Sequence, residues 1–364
     1  MSVSIGIVGL PNVGKSTLFN ALTDNNILAA NYPFATIEPN TGIVPIPDER
    51  LTSLADLYKT QKVIPATVTF TDIAGLVAGA SKGEGLGNQF LSHIRSTNAI
   101  VQVVRAFSDS NVQHVDDEHS PQKDIDVINT ELVLADLQTV EKRLPQTAKL
   151  AKSDATLRPL LELLDEVKAA LDDGLPLFKK EAAWHQKNAG LLYDLHLLTM
   201  KPIIYLFNID DDALIDSSRL AQLSDLVAPA KALFVSAKLE SELRGLDEGD
   251  RIELLESYGV KESGLVQLIH AAYEILGLQS YLTAGEKEVK AWTIPKGATA
   301  PQAAGVIHGD FERGFIAAQI VSYPDLINAG SEQAAKAAGK VRTEGKDYVM
   351  QPDDIVEFRF NVSK

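Results

Sequence analysis

The chain has 364 residues, 45% hydrophobic and 23% charged, which allows two or three globular domains that each bury a core. It contains no cysteine, so disulfides, thiolate catalysis and cysteine-ligated metals are excluded. A formal charge of −15 argues against a generally basic, nucleic-acid-coated surface. Residues 281–364 hold ten Lys/Arg against eleven Asp/Glu, and residues 124–180 hold eight against eleven. RNA contact would therefore rest on shape or on a few clustered lysines. No apolar run approaches the length needed to span a bilayer. Met1 leads within a few residues into an apolar strand and leaves no room for a signal peptide. A cytoplasmic location with no membrane partner is expected.

Ile5-Gly6-Ile7-Val8 reads as a buried strand, and Gly9-Leu10-Pro11-Asn12-Val13-Gly14-Lys15-Ser16-Thr17 follows it. This segment fits the phosphate-binding loop G-x-x-x-x-G-K-[ST], and Leu18, Phe19, Ala21 and Leu22 then carry helical spacing. Backbone N–H groups from Asn12 to Thr17 would form an anion nest at a helix N-terminus. Lys15 would reach the β- and γ-phosphates of a nucleoside triphosphate, and the Ser16 hydroxyl would ligate Mg²⁺. Tyr32–Asn40 is turn-rich, with Thr36 placed as a switch threonine on the same Mg²⁺. Val68-Thr69-Phe70 leads into Asp72-Ile73-Ala74-Gly75, about sixty residues beyond the loop. There Asp72 would hold Mg²⁺ through water, and the Gly75 N–H would meet the γ-phosphate. The order of these motifs indicates a switch-type nucleoside triphosphatase. Ras-like GTPases place a water-orienting Gln after this motif, whereas Leu76 stands here, which predicts very slow hydrolysis or assistance from another group.

Ala99–Val104 is a further buried strand. The pattern then changes to 3-4 apolar steps, Ile125, Ile128, Leu132, Ala135 and again Leu157, Leu160, Leu164, Val167, Leu171, with a break near Lys152-Ser153-Asp154. These steps predict an antiparallel helical hairpin inserted into the α/β domain, its seam used for mutual packing. The sheet resumes at Pro202–Phe207 and Ala232–Val235, and a helix around 263–276 closes it. A guanine reader carries N-K-x-D. This chain has Asn208-Ile209-Asp210-Asp211 at the end of the resumed strand, with Ile in place of Lys, and Ser236-Ala237-Lys238 matches the accompanying S-A-K loop. A carboxylate aimed at adenine N1 would be repelled, whereas the Asn208 amide both donates and accepts. From Tyr281 onward, short strands at Val289–Ile294, Gly314–Val321 and Asp354–Phe360, with a small helix in 328–340, form a separate α+β unit.

These residues resemble the Obg-like ATPases of the bacterial YchF type. The resemblance is carried by the phosphate loop, by Asn31–Gly42, by Asp72–Asn88 and by Thr283–Thr293, and it covers nearly the whole chain. It implies a parallel-sheet P-loop α/β domain over 1–123 and 188–279, a helical coiled-coil insert over 124–187, and a C-terminal TGS domain of β-grasp type over 280–364. It further implies ATP in preference to GTP, with Asn208, Ile209, Asp211, Ser236 and Ala237 at the base, though the family's N-x-x-E is N-x-x-D here. The family's catalytic histidine falls on His114, which could orient or deprotonate water near neutral pH. Read without the family, His114 is a solvated residue of a polar loop, and His93 is a residue on a helix surface. In potassium-activated relatives an Asn at the position of Asn12 helps to hold K⁺; alternatively Asn12 caps the loop. Three functions stay open at this point. They are an ATPase switch whose arm and TGS domain engage the ribosome or its RNA, an Obg-type GTPase, and an ATP-gated protein-binding module.

Overall fold

The computed structural model describes residues 3–24, 40–73, 86–108 and 120–361. Within them the strands run β1 (Ser4–Gly9), β2 (Thr41–Pro45), β3 (Val63–Ile64), β4 (Thr67–Asp72), β5 (Ala99–Ala106), β6 (Ile203–Ile209), β7 (Lys231–Val235), β8 (Leu278–Ala284), β9 (Val289–Pro295), β10 (Phe315–Ser322), β11 (Arg342–Glu344) and β12 (Asp354–Phe360). They form two six-stranded sheets in two compact units, residues 1–44 with 69–272 and residues 45–68 with 273–364.

The first sheet has the order β2-β4-β1-β5-β6-β7, and the pairings of β1, β4, β5, β6 and β7 are parallel. Every residue of β5 and β6 is buried, as expected of central parallel strands covered on both faces. Helices α1 (Lys15–Asp24), α2 (Glu49–Tyr58), α3 (Leu86–Ser96), α4 (Pro121–Leu150) and α5 (Arg158–Asp172) follow in chain order. Pro121 opens α4 at its first turn, where a missing N–H costs nothing. The chain breaks at 151–157, where the Asp154 carboxylate accepts the Thr156 N–H and starts the turn into α5. The helical hairpin thus forms as its sequence predicts.

The single apolar seam read from the sequence divides in two. The first half of α4 lies against β5, where the Gln102 side chain donates to the Asp124 carbonyl and Tyr205 donates to Asn129. The second half packs with α5 through Val140, Leu164, Val167 and Leu171. The boundary placed at residue 124 accordingly falls inside α4, which begins in the sheet layer. Asp136, fully buried midway along α4, accepts the Leu198 N–H, the Thr199 N–H and the Thr199 hydroxyl, each at 2.7 Å.

In the second unit β8 and β9 form an antiparallel hairpin, β12 runs parallel to β8, and β10 pairs antiparallel with β12. The helix Ala300–Ile307 crosses this sheet and buries Ala300, Ala303 and Ala304 against Tyr281, Phe315, Ile320 and Val356, a β-grasp arrangement. The small helix expected in 328–340 is Glu332–Ala337, and it follows another, Tyr323–Ala329, which Gly330 at φ 73° ends. Residues 45–68 also belong to this unit, although the sequence reading kept them with the nucleotide domain. β3 adds to the edge of β9, and Arg50 on α2 donates to the Pro352 carbonyl at 2.7 Å and pairs with Asp353. Nothing in the local pattern of 45–68 announces a partner more than two hundred residues away, so only the fold assigns it.

Candidate functional site

Ligands of open α/β sheets sit beyond the carboxyl ends of the strands, and four such loops of the first unit meet there. Among the described residues, Asn12, Gly14 and Thr17 after β1, Phe107 and Ser108 after β5, Asn208–Asp212 at the end of β6 and Ser236–Lys238 after β7 line one cleft of ≈ 810 Å³. A cleft of this size suits a ligand as large as a nucleotide.

At one end is the phosphate loop. Asn12 at φ 63° and Gly14 at φ 90° turn the backbone through left-handed conformations, the geometry that gathers N–H groups into an anion nest. Helix α1 begins at once, with the Leu18 N–H bonded to the Gly14 carbonyl at 3.0 Å. Its first turn carries no carboxylate, so the positive end of its dipole is unopposed. Lys15 is paired with Asp72, the last residue of β4, and both side chains are largely buried. Ser16 and Thr17 are exposed on the opening turn of the helix. The Ser16 hydroxyl and the Asp72 carboxylate are hard oxygen donors of the kind Mg²⁺ takes.

At the other end the side chains are already committed to one another. Asn208 is 3% exposed, its Nδ2 donates to the Val13 carbonyl at 3.0 Å, and its Oδ1 accepts the Ala237 N–H at 3.0 Å. Asn208 therefore clamps the phosphate loop to the S-A-K loop as well as lining the cleft. Asp211 takes the Ser236 hydroxyl on Oδ1 and the Lys238 ammonium on Oδ2, the latter at 2.8 Å. Burial pushes the Asp211 carboxyl upward, but Lys238 and Ser236 outweigh it and hold the group below its ordinary value. Neighbouring Asp210 accepts the Ser108 N–H with both oxygens, at 3.2 and 3.1 Å.

The structure thus gathers Asn12, Gly14, Thr17, Asn208, Ile209, Asp211, Ser236 and Ala237 around one cleft, with Lys15 and Asp72 joined beside it. Val13 has a fully buried side chain, so only its backbone can serve a ligand. His93 is an exposed residue in the last turn of α3, as its spacing suggested. Thr36, Gly75, Leu76 and His114 lie outside the described residues. Phe107, Ser108 and Asp212 line the cleft without belonging to any motif of the sequence, and Asp210 and Lys238 stand inside motifs that give them no role. Phe107 could have been found, because it follows directly on the buried strand β5, at the carboxyl end where ligands collect.

Comparison with known proteins covers the whole chain. Residues 4–138 match the family described as 50S ribosome-binding GTPase, and residues 278–361 match the YchF-GTPase_C family, described as a protein of unknown function. The chain is 51% identical to the ribosome-binding ATPase YchF of Bacillus subtilis (strain 168) and 50% identical to that of Escherichia coli O157:H7, with all of both chains covered in each case. The solved structure of the Schizosaccharomyces pombe YchF GTPase is 39% identical, with 98% of both chains covered and a TM-score of 0.87. A GTP-binding protein from Pyrococcus horikoshii OT3, 22% identical with a TM-score of 0.61 over 99% of this chain, shares the fold.

Proposed function

This chain belongs to the YchF family of P-loop nucleotide hydrolases, and from that premise we propose that it is a slow ATP-hydrolysing switch that engages the ribosome. The observation that carries the choice of ATP is the state of Asp211. A guanine presents two donors, N1–H and N2–H₂, to a carboxylate, and here each oxygen of that carboxylate already takes a protein donor. Adenine asks nothing of it. The clamp through Asn208 keeps the phosphate loop in register with the base end whichever purine is bound.

In this reading the backbone N–H groups of Asn12 to Thr17 and the helix dipole bind the triphosphate, and Lys15 exchanges Asp72 for the β- and γ-phosphates. Ser16, Thr36 and Asp72 would hold Mg²⁺, which would neutralise phosphate charge, and the Gly75 N–H would serve the γ-phosphate. Asn12 would help to hold K⁺, which would supply positive charge to the phosphates. With Leu76 in the place of a glutamine, His114 orients the water. His114→Ala should then cut turnover by about a hundredfold or more, as loss of a general base does, with nucleotide affinity unchanged. The same steady-state assay should run faster in K⁺ than in Na⁺. Equal turnover of variant and wild type would remove His114 from the mechanism.

The ribosome enters through the names of the relatives, and in this proposal the helical arm and the C-terminal sheet unit would each contribute contacts to ribosomal RNA or protein. Cosedimentation with ribosomal subunits joins both halves of the proposal. More protein should pellet with a non-hydrolysable ATP analogue than with ADP or a GTP analogue. Equal pelleting in all three states would leave a hydrolase with no ribosomal switch, and preference for the GTP analogue would point to an Obg-type GTPase.

A further inference from the structure

We propose that Lys238 sets the base preference of the cleft, by neutralising Asp211 and fixing its plane so that adenine is accepted and guanine is disfavoured. The inference rests on the reading that ATP is the favoured nucleotide, and it identifies the residue responsible.

Three observations carry it. The Lys238 ammonium lies 2.8 Å from Asp211 Oδ2, with the lysine side chain 69% exposed at the rim of the cleft and the aspartate 17% exposed inside it. The other oxygen is held by Ser236, whose hydroxyl is itself fixed because it accepts the Leu239 N–H at 3.2 Å and caps the helix Ala237–Glu242. The Asp211 carboxylate thus has one orientation, set from both sides. The pair is ionised, since each partner moves the other further into its charged form.

The chemistry follows from the edges of the two purines. Guanine reads a carboxylate with two donors in the plane of the base, so it would share each oxygen with a donor already there, and the ammonium neutralises the charge that would draw those donors in. Adenine presents an acceptor at N1. A bare carboxylate would repel it, but a carboxylate paired with Lys238 carries no net charge toward it. Removing the ammonium should therefore act on the two nucleotides in opposite directions, which loss of packing cannot do. The sequence reading placed the carboxylate three residues after Asn208 correctly and took Lys238 only as part of a matching loop. The ion pair between them depends on the approach of β6 and β7.

The test is competitive titration with fluorescent ATP and GTP on wild type, Lys238→Met and Lys238→Arg. Methionine keeps much of the side-chain volume and removes the charge. In Lys238→Met the ratio of ATP to GTP affinity should move toward GTP by about two- to fivefold, the range open to a solvent-exposed ion pair. ATP should weaken and GTP should tighten, and Lys238→Arg should restore the wild-type ratio. An unmoved ratio, or equal weakening of both nucleotides, would overturn the role of Lys238. Wild type itself reports on the parent reading. If it prefers ATP while Lys238→Met leaves the ratio unmoved, the inference alone fails; if it prefers GTP, the ATPase reading fails.

Discussion

Gly14→Ala is expected to weaken nucleotide binding by about two to three orders of magnitude while leaving the fold in place, from a penalty of roughly 3–4 kcal/mol on the loop. Two costs add. Gly14 sits at φ 90°, where an L-residue is strained by about 1–3 kcal/mol. A methyl group there would also stand 2.4 Å from Asn208 Nδ2, closer than any real contact allows. Asn208 has no room to yield, because it is buried and held at both ends, by Val13 and by Ala237. Relief comes only from breaking that clamp or from moving the loop. Isothermal titration with ATP gives the affinity, and far-UV circular dichroism checks the fold. The double variant with Asn208→Ala separates the two costs, since removing the side chain that collides should make the Gly14 substitution less damaging. Wild-type affinity in Gly14→Ala would mean that the loop does not need this conformation.

Asp136→Ala is expected to destabilise the protein by about 3–5 kcal/mol in urea unfolding at neutral pH, because it strands three buried donors at once. Leu198 and Thr199 would lose the hydrogen bonds that tie them to α4 through this carboxylate. The site also predicts a pH dependence of definite sign. Burial pushes the Asp136 carboxyl up to about 6 from 3.8, against the opposing pull of the Thr199 and Leu198 hydrogen bonds and of Arg95. Its folded value lies above its unfolded value, so between pH 4 and 6 the folded state binds the extra proton. The increment that this extra proton adds to stability is fully present below about pH 4 and is lost as pH rises through 6, about 3 kcal/mol in all, whereas the hydrogen bonds to Leu198 and Thr199 remain at neutral pH. Asp136→Asn cannot titrate. The stability gap between wild type and Asp136→Asn should therefore widen as pH falls from 7 to 4, and a gap independent of pH would show that the carboxyl titrates normally.

The two variants probe features of opposite legibility. The phosphate loop is a local object: nine consecutive residues between a strand and a helix carry its conformation, and Gly14 declares its turn by lacking a Cβ. The parallel strands and the helical hairpin were legible for a similar reason, since burial on both faces and 3-4 spacing are written into short windows. Asp136 was invisible in the same sequence. A carboxylate within an apolar helical pattern looks like a solvated position until the turn at Leu198–Thr199 is brought to it, 62 residues along the chain. Asn208 was recognised as a residue of the base-reading motif, yet its bond to Val13, 195 residues away, was not.

The amino-acid sequence by itself determined the class of machine: a phosphate loop, an Asp72 at a strand end, a degraded guanine motif and a separate C-terminal unit. Each is a property of consecutive residues, set by backbone sterics and by the period of burial. Only the tertiary structure decided what those residues do to one another. It turned the Asn208 amide into a clamp, occupied both oxygens of Asp211 with Ser236 and Lys238, and carried residues 45–68 into the second sheet unit. Hydrogen-bond capacity is finite and directional, so which partner a side chain takes depends on which strands the fold places side by side.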